Sequence, residues 1–248
     1  MNTIILPKDL EEKIYKATSF FWNTRTNQIE KQVSLNNHDQ GNRGAVTGGK
    51  QLDGFVDLVK DILILNGIDE QYIHTTSDVE LPGYYRPNKK WDLLIVKDNI
   101  LIAAIEFKSQ VGPSFGNNFN NRTEEAMGSA LDIWTAYREG VFGTQKAPWL
   151  GYFLVLEDCC KSTVPVKVRS PHFPVMNEFV NASYKKRYEL FCNKLLLERQ
   201  YTSACFLTTG LNEESNISIH YPNENLSFKT FISSLIGHII SFAPTTEE

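Results

Sequence analysis

Cysteine is scarce in this chain, and its spacing excludes more than its number does. The four cysteines among 248 residues are Cys159, Cys160, Cys192 and Cys205. They form no C-x-x-C pair, so neither a zinc site nor a disulfide framework has support, and buried or partly buried free thiols are expected. The five histidines (His38, His74, His172, His220, His238) are scattered, with no H-E-x-x-H and no close pair. Histidine–metal and Ser–His chemistry therefore have no basis. No apolar run is long enough to cross a bilayer, and Met1 to Pro7 lacks the basic start and apolar stretch of a signal peptide. A cytoplasmic protein is expected. A strong excess of either charge sign is lacking as well: 25 Lys and Arg against 29 Asp and Glu leave a net charge of −4. That balance argues against a non-specific nucleic-acid coat but leaves room for a local basic cleft, because phosphate binding depends on where the charges sit.

What is present builds a core. Hydrophobic residues make up 42% of the chain and charged ones 22%, a composition suited to globular structure. The length fits a single domain over residues 1–248, with a central core over about 48–160, an N-terminal helix and a C-terminal extension. Helical spacing of Ile14, Ala17, Thr18 and Phe21 predicts a helix over residues 6–27, followed by an Asn/Gly-rich loop over 34–50. Leu52, Phe55, Val56, Val59, Ile62 and Leu63 predict a helix over 51–65, with Asn66-Gly67 as its stop. An extended stretch over 72–81 leads to a basic and aromatic turn over 81–90. Apolar runs over 91–96 and 100–107, joined by Lys97-Asp98-Asn99, predict a buried hairpin. A second Gly/Asn loop is expected over 112–121. A helix over 122–139 follows, capped by Asn121 or Thr123 with Glu124 or Glu125 in its first turn. Strands over 150–156 and 203–209 and helices over 175–200 and 226–242 complete an α/β layer fold with a central mixed β-sheet flanked by helices.

The chemistry concentrates on the hairpin. Asp92 opens its first strand, Glu106 ends the second, and Lys108 lies two residues further. Side chains alternate along a strand, so Glu106 and Lys108 face one pocket while Phe107 faces the other way. Pairing of the two strands brings Asp92 beside them. Burying charge is costly unless it is paired or binds metal, and two acids beside one amine is the arrangement that Mg²⁺-dependent phosphodiester hydrolysis needs. Asp92 and Glu106 are the expected Mg²⁺ ligands, with the backbone carbonyl of Phe107 and waters. Lys108 is expected to position or activate the attacking water and to offset transition-state charge. A third acid from the preceding helix would be Asp53 or Asp57, with Asp53 preferred, and Gln110 continues the alternation as a supporting donor. The plainer alternative for Asp53 and Asp57 is a solvated helix face.

Residues suited to base or phosphate contact lie on either side. Asparagine can bond bidentately to adenine and arginine to guanine, which makes Asn117, Asn118, Asn120 and Arg122 candidate DNA contacts. Arg43, Lys50, Arg86, Lys89 and Lys90 are candidate phosphate contacts. The basic side of the 175–200 helix reads as a solvated face or as one flank of a DNA cleft. Repair or junction nucleases on the same core, and a catalytically silent DNA-binding module, are the other readings these residues allow.

Asp92 followed by Glu106-x-Lys108 resembles the PD-(D/E)xK nuclease signature, with Trp91 in place of the usual proline. The stretches ELPGYYRPNKKWDLL (residues 80–94) and EFKSQVGPSFGNNFNNRTEE (106–125), with GNRGA (41–45) and GGKQLDGF (48–55), resemble the XhoI family of type II restriction endonucleases. The resemblance spans essentially the whole chain and is strongest over about 40–135. It implies a Mg²⁺-dependent homodimer that cuts double-stranded DNA within the palindrome CTCGAG, leaves 5′ overhangs, and is paired with a DNA methyltransferase that protects host DNA. It also implies catalytic roles for Asp92, Glu106 and Lys108.

Overall fold

The computed structural model describes residues 4–34, 50–212 and 214–242. A six-stranded mixed sheet runs through its centre in the order β1-β4-β5-β6-β7-β8. These strands are β1 (Ile73–His74), β4 (Leu93–Lys97), β5 (Ile100–Gln110), β6 (Trp149–Glu157), β7 (Ser203–Leu211) and β8 (Ile217–His220), and β2 (Glu80–Pro82) and β3 (Asn88–Lys90) form a separate antiparallel pair. β4 and β5 are antiparallel, β5, β6 and β7 run parallel, and β8 returns antiparallel to β7. The three central strands are buried on both faces, which is why they read as continuous apolar runs rather than as alternating ones.

Alternation nevertheless sorts their side chains into two cores. Ala103, Ile105, Phe107, Phe153, Val155, Cys205 and Leu207 pack on one side against α1 (Leu10–Ser34), α2 (Asp53–Leu65) and α6 (Phe228–Phe242). Ala104, Tyr152, Leu154, Ala204 and Phe206 pack on the other, against α3 (Phe115–Arg138) and α5 (Tyr184–Leu197). A short helix, α4 (Cys160–Thr163), follows β6. Each central strand thus links the two layers, and a polar side chain on β5 enters one core or ends at its rim according to its parity.

Local chemistry accounts for the hairpin. Asp98 and Asn99, at φ 52° and 62°, form its tip. Both central residues of a type I′ turn need positive φ, and Asp and Asn tolerate it. At the other punctuation mark, Gly67 adopts φ 83° directly after the Asn66 cap of α2.

Several expectations are corrected. The turn over 81–90 resolves into β2, a tight bend and β3. Its tip is pinned by Asp132 on α3, whose Oδ1 accepts from the Tyr84 and Tyr85 amides at 2.9 and 2.8 Å. Residues 115–121 are not a loop: α3 begins at Phe115, after Ser114 at the N-cap, so neither Asn121 nor Thr123 caps it. The reason is tertiary. Phe115 stacks on Tyr184, and Phe119, one turn on, packs edge-on against Tyr188. Burial of two rings at i and i+4 outweighs the weak helix propensity of the intervening Gly and Asn residues. Similarly, helix in the 175–200 region is confined to α5 and a 3-10 turn at Asn177–Phe179, and β8, a four-residue alternating run (Ile217, Ser218, Ile219, His220), is not among the predicted strands. The four cysteines are free; Cys192 and Cys205 are buried and Cys159 half-buried, but Cys160, at the start of the short α4, is exposed rather than buried.

Candidate active site

Three elements meet around Glu106. β5 supplies Glu106 and Lys108 to one face and Phe107 to the other. The register Leu93↔Ile105 sets Asp92 opposite Glu106 at the end of the hairpin pairing. There the Asp92 amide donates to the Ile105 carbonyl at 3.2 Å, and the Asp92 Oδ2 accepts from the Phe107 amide at 2.7 Å. β3 supplies Lys89.

Glu106 is 2% exposed. Its Oε1 accepts from Lys108 Nζ at 2.8 Å and from Lys89 Nζ at 3.1 Å. Its Oε2 lies 3.3 Å from the Tyr201 hydroxyl, which is also 3.1 Å from the Ala126 carbonyl, so one hydroxyl proton serves two acceptors. Burial pushes the Glu106 carboxyl up, but the Lys108 and Lys89 ammonium groups outweigh it and hold the group below the ordinary glutamate value. Asp92 differs. Burial lifts its carboxyl above the ordinary value, and the Phe107 amide and Lys108 only partly offset the lift. Burial also lowers the Lys89 ammonium, against the pull of Glu106.

The expected residues divide between two neighbouring cavities. Glu106 and Lys108 line one of about 610 Å³, with Tyr85, Arg86, Lys89, Arg122 and Asp132. Asp92 lines another of about 300 Å³, with Lys50, Asp53, Asp57 and Lys90. Asp53 is raised by burial, by Asp57 one turn along α2 and by Asp92, so a desolvated acid sits close to Asp92, where sequence reasoning sought a third one. Among the described residues no three His, Cys, Asp or Glu side chains form a ready-made metal cluster. The donor set nonetheless fits Mg²⁺. It offers hard carboxylate oxygens and a backbone carbonyl, Mg²⁺ keeps several waters and takes only one or two carboxylates, and the raised Asp92 and Asp53 carry negative charge that a dication would relieve.

The DNA-contact expectations land variously. Arg122 lines the larger cavity, with its Nη1 bonded to Glu125 at 2.7 Å and its Nε buried without a partner among the described residues. Asn118 lies one turn before it, while Asn117 and Asn120 are exposed on the helix. Arg86 is held by Asp132 at 2.7 Å, and Lys50 and Lys90 are exposed at the smaller cavity. Gln110 is buried and bonds to the Val111 carbonyl and the Tyr188 hydroxyl rather than to the acids. Arg43 lies outside the described residues. On α5, Lys185, Lys186 and Lys194 pair with Asp158, Glu189 and Glu178, as a solvated face does.

Asp132 and Tyr201 were missed from the sequence. Asp132 had a readable signal, a lone carboxylate beside the inner face of an amphipathic helix. Tyr201 had none, since it lies in the connection between α5 and β7. Trp91, the departure from the signature, is buried and carries the Lys89 ammonium 4.3 Å from its ring centroid.

An α/β fold with a six-stranded mixed sheet flanked by helices is compatible with a restriction-endonuclease-like core. The sequence comparisons specify which kind. The chain belongs to the XhoI restriction endonuclease family, whose model, described as restriction endonuclease XhoI, matches residues 31–220. It is 52% identical over 220 residues to the type II restriction enzyme BstVI of Geobacillus stearothermophilus, covering 87% of this chain and 97% of that one. It is 47% identical over 180 residues to the type II restriction enzyme XhoI of Xanthomonas vasicola, covering 72% of each. To the type II restriction enzyme AbrI of Azospirillum brasilense it is 49% identical over 166 residues, covering 66% of this chain and 74% of that one. No solved structure matches the chain. The protein is therefore a type II, site-specific deoxyribonuclease acting on double-stranded DNA.

Proposed function

We propose that this enzyme is a Mg²⁺-dependent endonuclease that works as a homodimer, cuts within CTCGAG and leaves 5′ overhangs. A DNA methyltransferase is its functional counterpart, protecting the same site in host DNA. The observation that carries the catalytic part is the convergence of Asp92, Glu106 and Lys108 at one end of the β4–β5 hairpin. The CTCGAG target and the stagger rest on family resemblance. The homodimer follows from the palindrome, because two identical half-sites call for a two-fold arrangement of identical subunits.

In this reading Asp92, Glu106 and the Phe107 carbonyl hold the cation. When bound, Mg²⁺ supplies Lewis-acid polarisation of the scissile phosphate and neutralisation of its charge. The Phe107 amide fixes one Asp92 oxygen, which leaves the other to act as ligand. Lys108, anchored on the middle strand, orients the attacking water and stabilises charge developing on the phosphate. Arg122, Lys89 and Arg86 line the cavity into which the backbone enters, and Lys50 and Lys90 flank the second. Arg43, Asn117, Asn118 and Asn120 remain contacts proposed from their chemistry.

The test is digestion of plasmid DNA with purified protein and Mg²⁺, followed by run-off sequencing of the ends. Discrete fragments with one recurrent sequence and a fixed 5′ stagger are expected. A smear, or ends that follow a junction or lesion rather than a sequence, would overturn the proposal.

A further inference from the structure

Trp91 stands where the chain departs from the signature. Its ring lies 4.3 Å from the Lys89 ammonium, and that ammonium reaches the same Glu106 oxygen that Lys108 holds. A carboxylate oxygen offers two lone pairs, and both lone pairs of Oε1 are engaged by ammonium groups, while Oε2 is turned toward Tyr201. Lys89 is not a loosely placed surface charge, for its side chain is 12% exposed. The π face of Trp91 and the carboxylate of Glu106 together offset the cost of bringing it out of water. Both ammonium groups are thus spent on Glu106, while Asp92 is bonded to the Phe107 amide alone. The two lysines are not equivalent. Lys108 is tethered two residues from Glu106 on a central strand, whereas Lys89 comes from the small β2–β3 pair.

We propose that Lys89 is the resident counter-ion of the DNA-free site: it holds the Glu106 oxygen that a divalent cation uses, and it withdraws when the cation binds. Lys89 is a positioning residue in this scheme, and it sets the metal affinity of the free enzyme. The proposal rests on the reading that Asp92 and Glu106 hold Mg²⁺.

The experiment is calorimetric titration of the DNA-free protein with MgCl2 and with CaCl2, comparing wild type, Lys89→Met and Lys89→Arg, with melting curves to establish folding. Removal of one competing positive charge next to the cation is expected to tighten binding in Lys89→Met on the order of tenfold. Lys89→Arg keeps the charge and stays near wild type. A role limited to bracing Glu106 predicts the opposite sign for Lys89→Met, because a less ordered ligand binds more weakly. Equal or weaker binding by a normally folded Lys89→Met therefore overturns the assignment of Lys89 alone. Absence of any Mg²⁺ or Ca²⁺ response in all three proteins, or a response that survives Glu106→Gln, overturns the metal-site reading and the Lys89 assignment with it.

Discussion

On the Glu106 carboxylate two ammonium groups and a phenol converge within 3.3 Å, whereas Asp92 has one backbone amide bonded to it. The two acids therefore differ in what their charge costs. Because the Asp92 pKa is raised on folding, its ionisation weakens the fold as pH rises through the carboxylate range, and the penalty is fully present at neutral pH. Replacing Asp92 with Asn removes that charge while keeping an oxygen for the Phe107 amide. At pH 7 this variant is expected to melt at or above the wild-type temperature, and its cleavage rate to fall by about 10²–10³ or more, the scale for losing a transition-state electrostatic partner. Lys108→Ala should lose activity comparably while still binding DNA. Melting curves and single-turnover cleavage check both, and an Asp92→Asn protein that melts well below wild type would show that this residue is structural.

At the scale of elements, the N-terminal turns of α3 and the tip between β2 and β3 owe their form to neighbours. Asn117 and Asn120 lie exposed in a helix, where Ala is preferred over Asn by about 0.5 kcal/mol per residue. Asn120→Ala is therefore expected to raise thermal stability slightly, whatever it does to DNA binding; calorimetry showing a loss would argue for a loop there. The tip depends on Asp132. Burial raises this carboxyl, but the Tyr85 amide, Arg86 and the Tyr84 amide outweigh it and hold the pKa below the ordinary aspartate value. A depressed pKa contributes stability above the unfolded value that is lost as pH falls through the folded one. Asp132→Asn should therefore be less stable than wild type at neutral pH, by about 1–3 kcal/mol. The gap should close as pH falls below about 4. Denaturant melts at several pH values test this, and a gap that is constant with pH would deny the charge its role. The same tip leaves no room at Gly83, where a Cβ would lie 2.5 Å from Asp132 Oδ2 and 2.7 Å from the Arg86 carbonyl. Gly83→Ala is accordingly expected to displace the Tyr84–Tyr85–Arg86 segment and lower stability, as read by the same melts.

For the whole molecule, one sheet divides two cores, and Asp92, Glu106 and Lys108 lie where the pairing of β4 with β5 ends. A palindrome has two scissile bonds, so sedimentation or light scattering of the enzyme with a short duplex carrying the site is expected to report two chains per duplex. A single chain per duplex would count against the homodimer.

The sequence by itself determined the parity of β5, the hairpin that sets Asp92 opposite Glu106 in register and the helix stop at Asn66-Gly67, because strand alternation, turn chemistry and Gly conformational freedom are local properties of the chain. It also carried the family, through the residues around Asp92 and Glu106. Only the tertiary structure decided that residues 115–121 are helical, since burial of Phe115 and Phe119 against α5 overrides the preferences of the Asn and Gly between them. Only it could bring Lys89 and Tyr201 to Glu106 and tie Arg86 to Asp132, because electrostatic and hydrogen-bond partners from separate elements have no fixed spacing along the chain.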